Sequence, residues 1–378
     1  SNTAPDWSSK ERVNILVLGL DHRPDEGSAP SRTDTILIAT MDPYSNTAGM
    51  LSIPRDLWVD IPVDKTRPVA DRINTTLVYA HVLKYVEGGP ALAKKTIEYN
   101  FGIPIHYYVI LDFMGFEKIV DTLGGIDVFL EKPLIDNEYP TPDYGIKRIY
   151  IPEGQQHLNG EKALWYVRSR HTDSDFGRLK RQQQVIMALR AKALQLNVIP
   201  KLPELYKQFK DTVKTDIGVS DAMLLTKLAQ EISSGDITAR VLDEKQAVPT
   251  THGGADILWP NRQEIGKLVQ EVFFDARSEK ESARIEVLNG TDTPGLAAKV
   301  ASYLENQGYK KVSYGSTTDY QNYQDCVVVD YTGKQYTASL VADLLSIPRD
   351  RIQSKTDPAS PVDIRLILGK NLKLPDAR

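Results

Sequence analysis

The chain has a single cysteine, Cys326, among 378 residues. That excludes an internal disulfide framework and any cysteine-based zinc site, while leaving the compartment open. Its histidines, His22, His81, His106, His157, His171 and His252, share no metal-ligand spacing and read as scattered core or surface residues. No apolar run approaches the roughly 18 residues of a membrane span. Neither sign of charge dominates: 46 Lys and Arg stand against 50 Asp and Glu, for a formal net charge of -4. Bulk attraction to nucleic acid or to an anionic membrane is thereby disfavoured, so any anion binding must be local. There is no glycine-rich phosphate loop and no Gly-x-Ser-x-Gly nucleophile elbow. The chain opens Ser1-Asn2-Thr3 without methionine, so it reads as trimmed, which leaves open whether an N-terminal signal or anchor was removed.

What the chain does have is a local excess of positive charge. Tyr166-Val-Arg-Ser-Arg170 and Phe176-Gly-Arg-Leu-Lys-Arg-Gln182 place four arginines and a lysine within fifteen residues. A guanidinium is always charged and its rigid fork matches phosphate and carboxylate oxygens. Crowding such groups costs self-repulsion unless an anion sits among them. Lys180 and Arg181 fit a wet helix face as readily as an anion site.

Hydrophobic patterning gives the frame. Val13–Leu20, Thr35–Met41 and Met50–Ile53 read as buried strands. Ile73–Val86 and 91–100 read as helices separated by Gly88-Gly89-Pro90 acting as a stop. A strand is expected at 105–111, a helix at 113–123 ended by Gly124-Gly125, and a strand at 126–130. Residues 131–152 carry four prolines and read as loop. A short helix over 160–166 leads into a long one over 179–196. Ser220 and Asn261 are expected N-caps of helices 221–233 and 262–274, Asn261 with Glu264 resembling a capping box. The charged stretch from Arg277 to Ala283 reads as a linker. Beyond it, strand 284–289, helix 295–306, strands 310–314 and 326–331, helix 335–345 and strand 362–368 spell β-α-β-β-α-β. The expected fold class is α/β, with a central β-sheet flanked by helices on both sides and this small domain appended.

Three further charged segments lie at expected strand ends: Asp21-His-Arg23, Arg32-Thr-Asp34, and Arg55-Asp56. Ends of strands in α/β sheets are where ligand sites collect. If the strands are neighbours, Asp21, Arg32, Asp34 and Arg55 meet at one rim. Arg168 and Arg170 point to one side if their segment is extended, and Arg178 and Gln182 lie one turn apart on the long helix. The helix N-terminus near Gly177 adds its positive end. Paired carboxylates suit Mg²⁺, which keeps few protein ligands and bridges to phosphate oxygens. Arginines would neutralise the remaining oxygens and the charge that grows in a transition state. Each segment alone also reads as a surface ion pair. Asp34 could simply pair with Arg32, and Asp173 or Asp175 with Arg168 or Arg178.

The motifs resemble one family. Asn14-Ile-Leu-Val-Leu-Gly-Leu-Asp21, Arg32-Thr-Asp34-Thr, Ser52-Ile-Pro-Arg55-Asp56, Arg72-Ile-Asn74, Val120-Asp-Thr-Leu-Gly-Gly-Ile-Asp127, Leu158-Asn-Gly-Glu-Lys-Ala-Leu164 and Tyr166 through Gln182 are similar to the LytR-CpsA-Psr family, in its order. The resemblance spans an expected catalytic domain over 11–275. A linker follows at 276–283, and residues 284–370 resemble the LytR-type C-terminal domain of some members.

The resemblance implies a membrane-anchored bacterial enzyme on the extracytoplasmic face of the cell membrane. Members move a glycopolymer, such as teichoic acid, from an undecaprenyl pyrophosphate carrier to peptidoglycan, with Mg²⁺ (or Mn²⁺). Carried over by motif, Asp21 and Asp34 would hold the metal. Arg32, Arg55, Arg72, Arg168, Arg170, Arg178 and Gln182 would hold the pyrophosphate, with Arg55, Arg168, Arg170 and Asp34 catalytic. Arg72 stands where many members have lysine, which keeps the charge and changes its geometry. Val78, Val82, Ile97, Val109, Phe113, Ile119, Leu123 and Ile186 would line the polyprenyl tunnel, though an ordinary core has the same composition. The expected partners are the polyprenyl-pyrophosphate-linked glycopolymer, peptidoglycan and the membrane, and not nucleic acid. Two other readings stand beside the transferase: a polyprenyl-pyrophosphate hydrolase, and a non-enzymatic protein that binds the carrier or the glycopolymer.

Overall fold

The computed structural model describes residues 12–20, 32–43, 45–64, 67–141, 145–170, 174–209, 212–273, 282–307, 309–318 and 322–372. Asp21, His22, Arg23, His171, Asp173 and most of the expected linker fall outside these. The chain divides into two compact units, Ser1–Phe273 and Phe274–Arg378.

In the first unit the order is β1 (Val13–Leu20), β2 (Thr33–Asp42), β3 (Thr47–Ile53), β4 (Trp58–Ile61), β5 (Val69–Arg72), α1 (Thr76–Val82) and α2 (Gly88–Phe101). Next come β6 (Tyr107–Asp112), α3 (Phe113–Thr122), β7 (Ile126–Leu130), β8 (Leu134–Pro140), β9 (Ile146–Ile151), β10 (Gly154–Leu158) and α4 (Gly160–Arg168). The unit closes with α5 (Asp175–Gln195), α6 (Leu202–Phe209), β11 (Val213–Thr215), α7 (Val219–Glu231), β12 (Ile237–Val241), β13 (Ala247–His252), β14 (Ala255–Pro260) and α8 (Arg262–Phe273).

A six-stranded mixed sheet in the order β11-β6-β1-β2-β3-β12 forms the centre. Its strands are apolar on both sides because both sides are covered. Leu16, Leu18 and Ile36 face Ile73, Leu77 and Ile97 of the α1–α2 side. Gly49 faces Val272 of α8 on that same side, close enough that an added Cβ would lie 2.7 Å from Val272 Cγ1. On the opposite side Val17 looks toward α3, α4 and α5, and Leu225 of α7 packs on Val13, Ile15 and Tyr107. Ser52 also points this way and accepts from Gln183 of α5 at 2.9 Å.

Several expectations change. Gly88-Gly89-Pro90 does not stop a helix; it starts α2, where a proline in the first turn loses no hydrogen bond the helix needs. Gly124 and Gly125 do end α3, with φ of 77° and 89°. Residues 131–152 hold the hairpin β8–β9 rather than loop. Pro133, Pro140 and Pro152 sit at or beyond the strand ends, where a missing N–H is tolerated. Ser220 lies inside α7, which begins after Gly218. Asn261 does cap α8, its Oδ1 accepting from Glu264 N at 3.4 Å. The ribbons β4–β5 and β13–β14 have no counterpart in the sequence reading.

The second unit contains β15 (Ile285–Asn289), α9 (Leu296–Asn306), β16 (Val312–Ser316), β17 (Val327–Asp330), α10 (Gln335–Leu344), β18 (Ile352–Ser354) and β19 (Ile364–Leu368). Its sheet order is β16-β15-β19-β17-β18, one strand more than the pattern foresaw. Ile285, Val287, Val300, Leu304, Val328, Val341, Ile364 and Leu366 make its core. Cys326 is buried within it.

Candidate functional site

The chain's topology brings separate charged segments to one sheet edge. Leu20 of β1 pairs with Thr33 of β2 and with Asp112 of β6, while Ile36 of β2 pairs with Ile53 of β3. The C-terminal ends of β1, β3 and β6 and the start of β2 therefore share a rim. There the Asp34 carboxylate is held by two guanidinia: Arg55 Nη1 donates to Oδ1 at 2.7 Å and Arg170 Nη2 to Oδ2 at 2.8 Å. Arg55 Nε also reaches Asp56 at 3.3 Å, and Arg72 Nη1 reaches the other oxygen of Asp56 at 3.4 Å. The result is a chain of alternating charge, Arg170–Asp34–Arg55–Asp56–Arg72.

Arg178 comes up from the first turn of α5, whose N-cap Ser174 accepts from Gly177 N. It is 3% exposed, pairs with Asp175 at 3.3 Å, and keeps a buried Nε with no hydrogen-bond partner. Burial depresses its pKa; Asp175 opposes that, and Arg170 and Arg55 add to it. For Asp34, burial would raise the pKa, but Arg55, Arg170 and Arg178 outweigh it and hold the carboxyl below its ordinary range. Asp34 is thus ionised, and the cations around it crowd one another.

Arg168 and Arg170 do not point the same way, because Arg168 ends α4 rather than lying in extended chain. The Arg168 guanidinium sits 4.2 Å from the Phe113 ring centroid and 5.6 Å from that of Tyr139, and it donates to Pro140 O at 3.4 Å. Arg32 is exposed. Arg181 is buried and donates to Ser169 O at 2.6 Å, whereas Lys180 faces solvent. Gln182, one turn from Arg178, donates to Val167 O at 3.3 Å and leaves a buried Oε1 without a partner.

Behind this charge lies an apolar cavity of about 240 Å³, walled by Val17, Gly19, Leu111, Phe113, Phe116, Ile119, Leu164, Val167, Val185, Ile186 and Leu189, with Asp34, Arg168, Arg178 and Gln182 at its polar end. A second cavity of about 600 Å³ shares Ile119 and continues past Leu123, Leu205, Tyr206 and Phe209. Of the expected tunnel residues, Phe113, Ile119 and Ile186 line the first cavity, and Ile119 and Leu123 the second. Val109 packs with Val13 and Ile15 farther along the same sheet face. The other three are corrected. Ile97 is core on the opposite face, Val78 shares that side on α1, and Val82 is 67% exposed. Their helical spacing was right for packing, but periodicity carries no information about which sheet face a helix covers.

Tyr139 and Asp112 were not foreseen. Leu189 is legible in the sequence only as part of the apolar stripe of the long helix, with Leu179, Ile186 and Ala193, and the structure puts it on the cavity wall. Asp21 lies outside the described residues. Among those described, no group of three or more His, Cys, Asp or Glu could hold a metal ion. Asp34 offers an ionised carboxylate at the cavity's polar end, which suits a hard cation that takes its other ligands from water and substrate.

Comparison with known proteins follows this geometry. The LytR_cpsA_psr family pattern matches residues 1–272, and the pattern described as LytR cell envelope-related transcriptional attenuator matches 282–371. The polyisoprenyl-teichoic acid–peptidoglycan teichoic acid transferase TagV of Bacillus subtilis is 34% identical over 241 residues, 62% of this chain and 56% of that protein. The match thus spans little more than half that relative's length. The transferase TagU of Enterococcus faecalis is 30% identical over 267 residues, 70% of this chain and 80% of that protein. The crystal structure of B. subtilis TagV superposes with a TM-score of 0.56 at 29% identity, covering 69% of this chain and 97% of that one.

Proposed function

The chain belongs to the LytR-CpsA-Psr family, and on that premise we propose that it is a phosphotransferase moving a glycopolymer from a polyprenyl (undecaprenyl) pyrophosphate carrier to peptidoglycan. One observation carries the reading. A buried, incompletely satisfied Arg178, crowded by Arg55 and Arg170, closes the polar end of an apolar cavity. A buried cation without enough partners calls for an anion, and an apolar cavity calls for hydrocarbon. A lipid-linked pyrophosphate supplies both. TagV and TagU, named for transfer of teichoic acid to peptidoglycan, support this substrate class.

In the proposed reaction an acceptor hydroxyl attacks the glycan-linked phosphorus. A new O–P bond forms as the bridging P–O bond breaks, its electron pair leaves with polyprenyl phosphate, and the hydroxyl proton passes to water. Arg55, Arg170 and Arg178 hold non-bridging oxygens and stabilise the charge that grows on the leaving phosphate. Arg168, wedged between Phe113 and Tyr139, marks the junction of charge and hydrocarbon. Asp34, with Asp21, would hold Mg²⁺, which when bound neutralises phosphate oxygens. A carboxyl held ionised by arginines is a weak proton acceptor, so positioning carries more of the rate than base catalysis. The substrate places the protein at the extracytoplasmic face of a bacterial membrane, on an N-terminal anchor. No helix among the described residues is long and apolar enough to cross a membrane.

The test uses a polyprenyl-pyrophosphate-linked saccharide with peptidoglycan fragments and Mg²⁺. Arg170→Ala, which removes an exposed donor, is expected to lower transfer roughly 100-fold or more while the protein still melts as a folded chain. Wild-type transfer by this variant sinks the proposal. Release of polyprenyl phosphate with no glycan on the acceptor makes the protein a hydrolase instead.

A further inference from the structure

The alternating charges at the rim do not end in solvent. Arg72, their last member, lies directly across the β4–β5 ribbon from Trp58, which puts the two side chains on one face. Trp58 packs against His252 with ring centroids 4.8 Å apart and planes tilted by 57°, and His252 approaches Trp259 at 6.3 Å. His252 and Trp259 come from β13 and β14, and β14 is joined to the start of β4 by the Leu57–Leu258 bridge and by Leu258 N donating to Asp56 O. Trp259 remains 47% exposed and its cross-strand partner Val248 45% exposed. Along the edge of these rings runs a polar rail, Asp60 with Arg262 at 3.4 Å, outward-facing like Trp58.

Two exposed rings, His252 and Trp259, beside a half-buried Trp58 leave aromatic surface open to water, and such surface marks a binding site. Its chemistry is specific. The charged neighbours balance, Arg72 and Arg262 against Asp56 and Asp60, so a polyanion gains little here. Flat aromatic faces with a negative quadrupole attract the slightly positive C–H faces of a pyranose ring, while planar Asp and Arg side chains pair with its hydroxyls. The patch is also continuous with the phosphate site. Cavity, Asp34, Arg55, Asp56 and Arg72 lead to Trp58, the cross-strand partner of Arg72, and on to His252 and Trp259, hydrocarbon at one end and aromatic rings at the other.

We infer that Trp58, His252 and Trp259 form a saccharide-binding platform, and that it seats pyranose units of the phosphate-linked glycan on the side of the arginines away from the lipid cavity. The placement rests on the phosphotransferase reading; the platform itself rests on the rings and their polar rail.

The experiment follows the indole N–H signals of the whole chain while a soluble β-1,4-linked N-acetylglucosamine tetramer is added, with inorganic pyrophosphate titrated in parallel. Trp58 and Trp259 are expected to shift and saturate while Trp165 stays still. Trp259→Ala and His252→Ala should each weaken saccharide binding by roughly three- to tenfold, the scale of one aromatic pair. Arg55→Ala should lose pyrophosphate and keep the saccharide response. Absence of any Trp58 or Trp259 shift, or an undiminished response in the His252→Ala, Trp259→Ala double variant, overturns the platform. Saccharide binding in a protein that never binds pyrophosphate upholds the platform and removes the phosphotransferase reading instead.

Discussion

Asp34 is the residue on which the rim's charge balance turns. Each of its oxygens accepts from a different arginine, and its side chain is 15% exposed. Removing one partner of such a pair strands the others. Asp34→Asn is therefore expected to lower stability by about 2 kcal/mol at pH 7, a melting shift of roughly 4–8 °C. The sign with pH follows from the depressed folded-state pKa. Unfolded, the carboxyl titrates near about 3.9. Its contribution is complete above that value and is lost as pH falls through the lower folded value. The gap between wild type and Asp34→Asn should stay constant from pH 8 to about 5 and close below about pH 4. Thermal melts across that range check it, and a gap that widens in acid would contradict the ion-pair assignment.

At the scale of elements, the arginine run belongs to two helices. Arg168 closes α4 and Arg178 lies in the first turn of α5, and Ser169, just after α4, is fastened from two directions. Ser169 Oγ donates to buried Asp136 of β8 at 2.8 Å, and Arg181 of α5 donates to Ser169 O. The Arg181 guanidinium also stacks over Tyr166 at 5.7 Å. Arg181 thus works on Arg170 through the backbone rather than on substrate. Arg181→Met, which keeps bulk and loses the donor, is expected to cost about 2 kcal/mol and to weaken pyrophosphate binding by roughly tenfold, since Arg170 loses its fixed origin. Melting and pyrophosphate titration read the two effects. A variant that binds pyrophosphate like wild type would show that Arg181 does not position Arg170. Sequence alone showed that Arg178 and Gln182 share a helix face, because i, i+4 spacing is local. It did not show that Arg168 lies against Phe113 and Tyr139 and not beside Arg170, because that depends on where α4 ends. It also missed Asp136, because a proline-bearing stretch reads as loop until its partner strand β9 is known. The hairpin β13–β14 was equally hidden: its meaning lies in Trp58, some two hundred residues away in sequence.

At the scale of the whole first unit, the mixed sheet is a partition. Its α1–α2 side is filled core, and its α3–α5 side is opened by cavities. The strand pattern foretold a sheet covered on both faces, but a filled face and a hollow one have the same hydrophobic signature. Volume decides how far a lipid could enter. Alone, the cavity of about 240 Å³ is smaller than the roughly 300–1,000 Å³ of most ligand sites. With the neighbouring cavity of about 600 Å³ it falls inside that range, and the two meet at Ile119. A long polyprenyl tail needs both, whereas a two-isoprene tail fits the first. Ile119→Trp puts an indole at the junction. Binding of a long-chain polyprenyl phosphate is expected to fall at least tenfold, since the far half of the tail loses its burial at about 25 cal/mol per Å². Inorganic pyrophosphate, which stays at the polar end, should bind within about twofold of wild type, and geranyl phosphate, which meets Ile119 only as one wall of the first cavity, should lose less than the long chain. Titrating the three ligands against the variant separates a continuous tunnel from two unrelated hollows: equal loss for geranyl and long-chain phosphates would mean that the tail ends in the first cavity, and no loss for either would mean that it runs elsewhere.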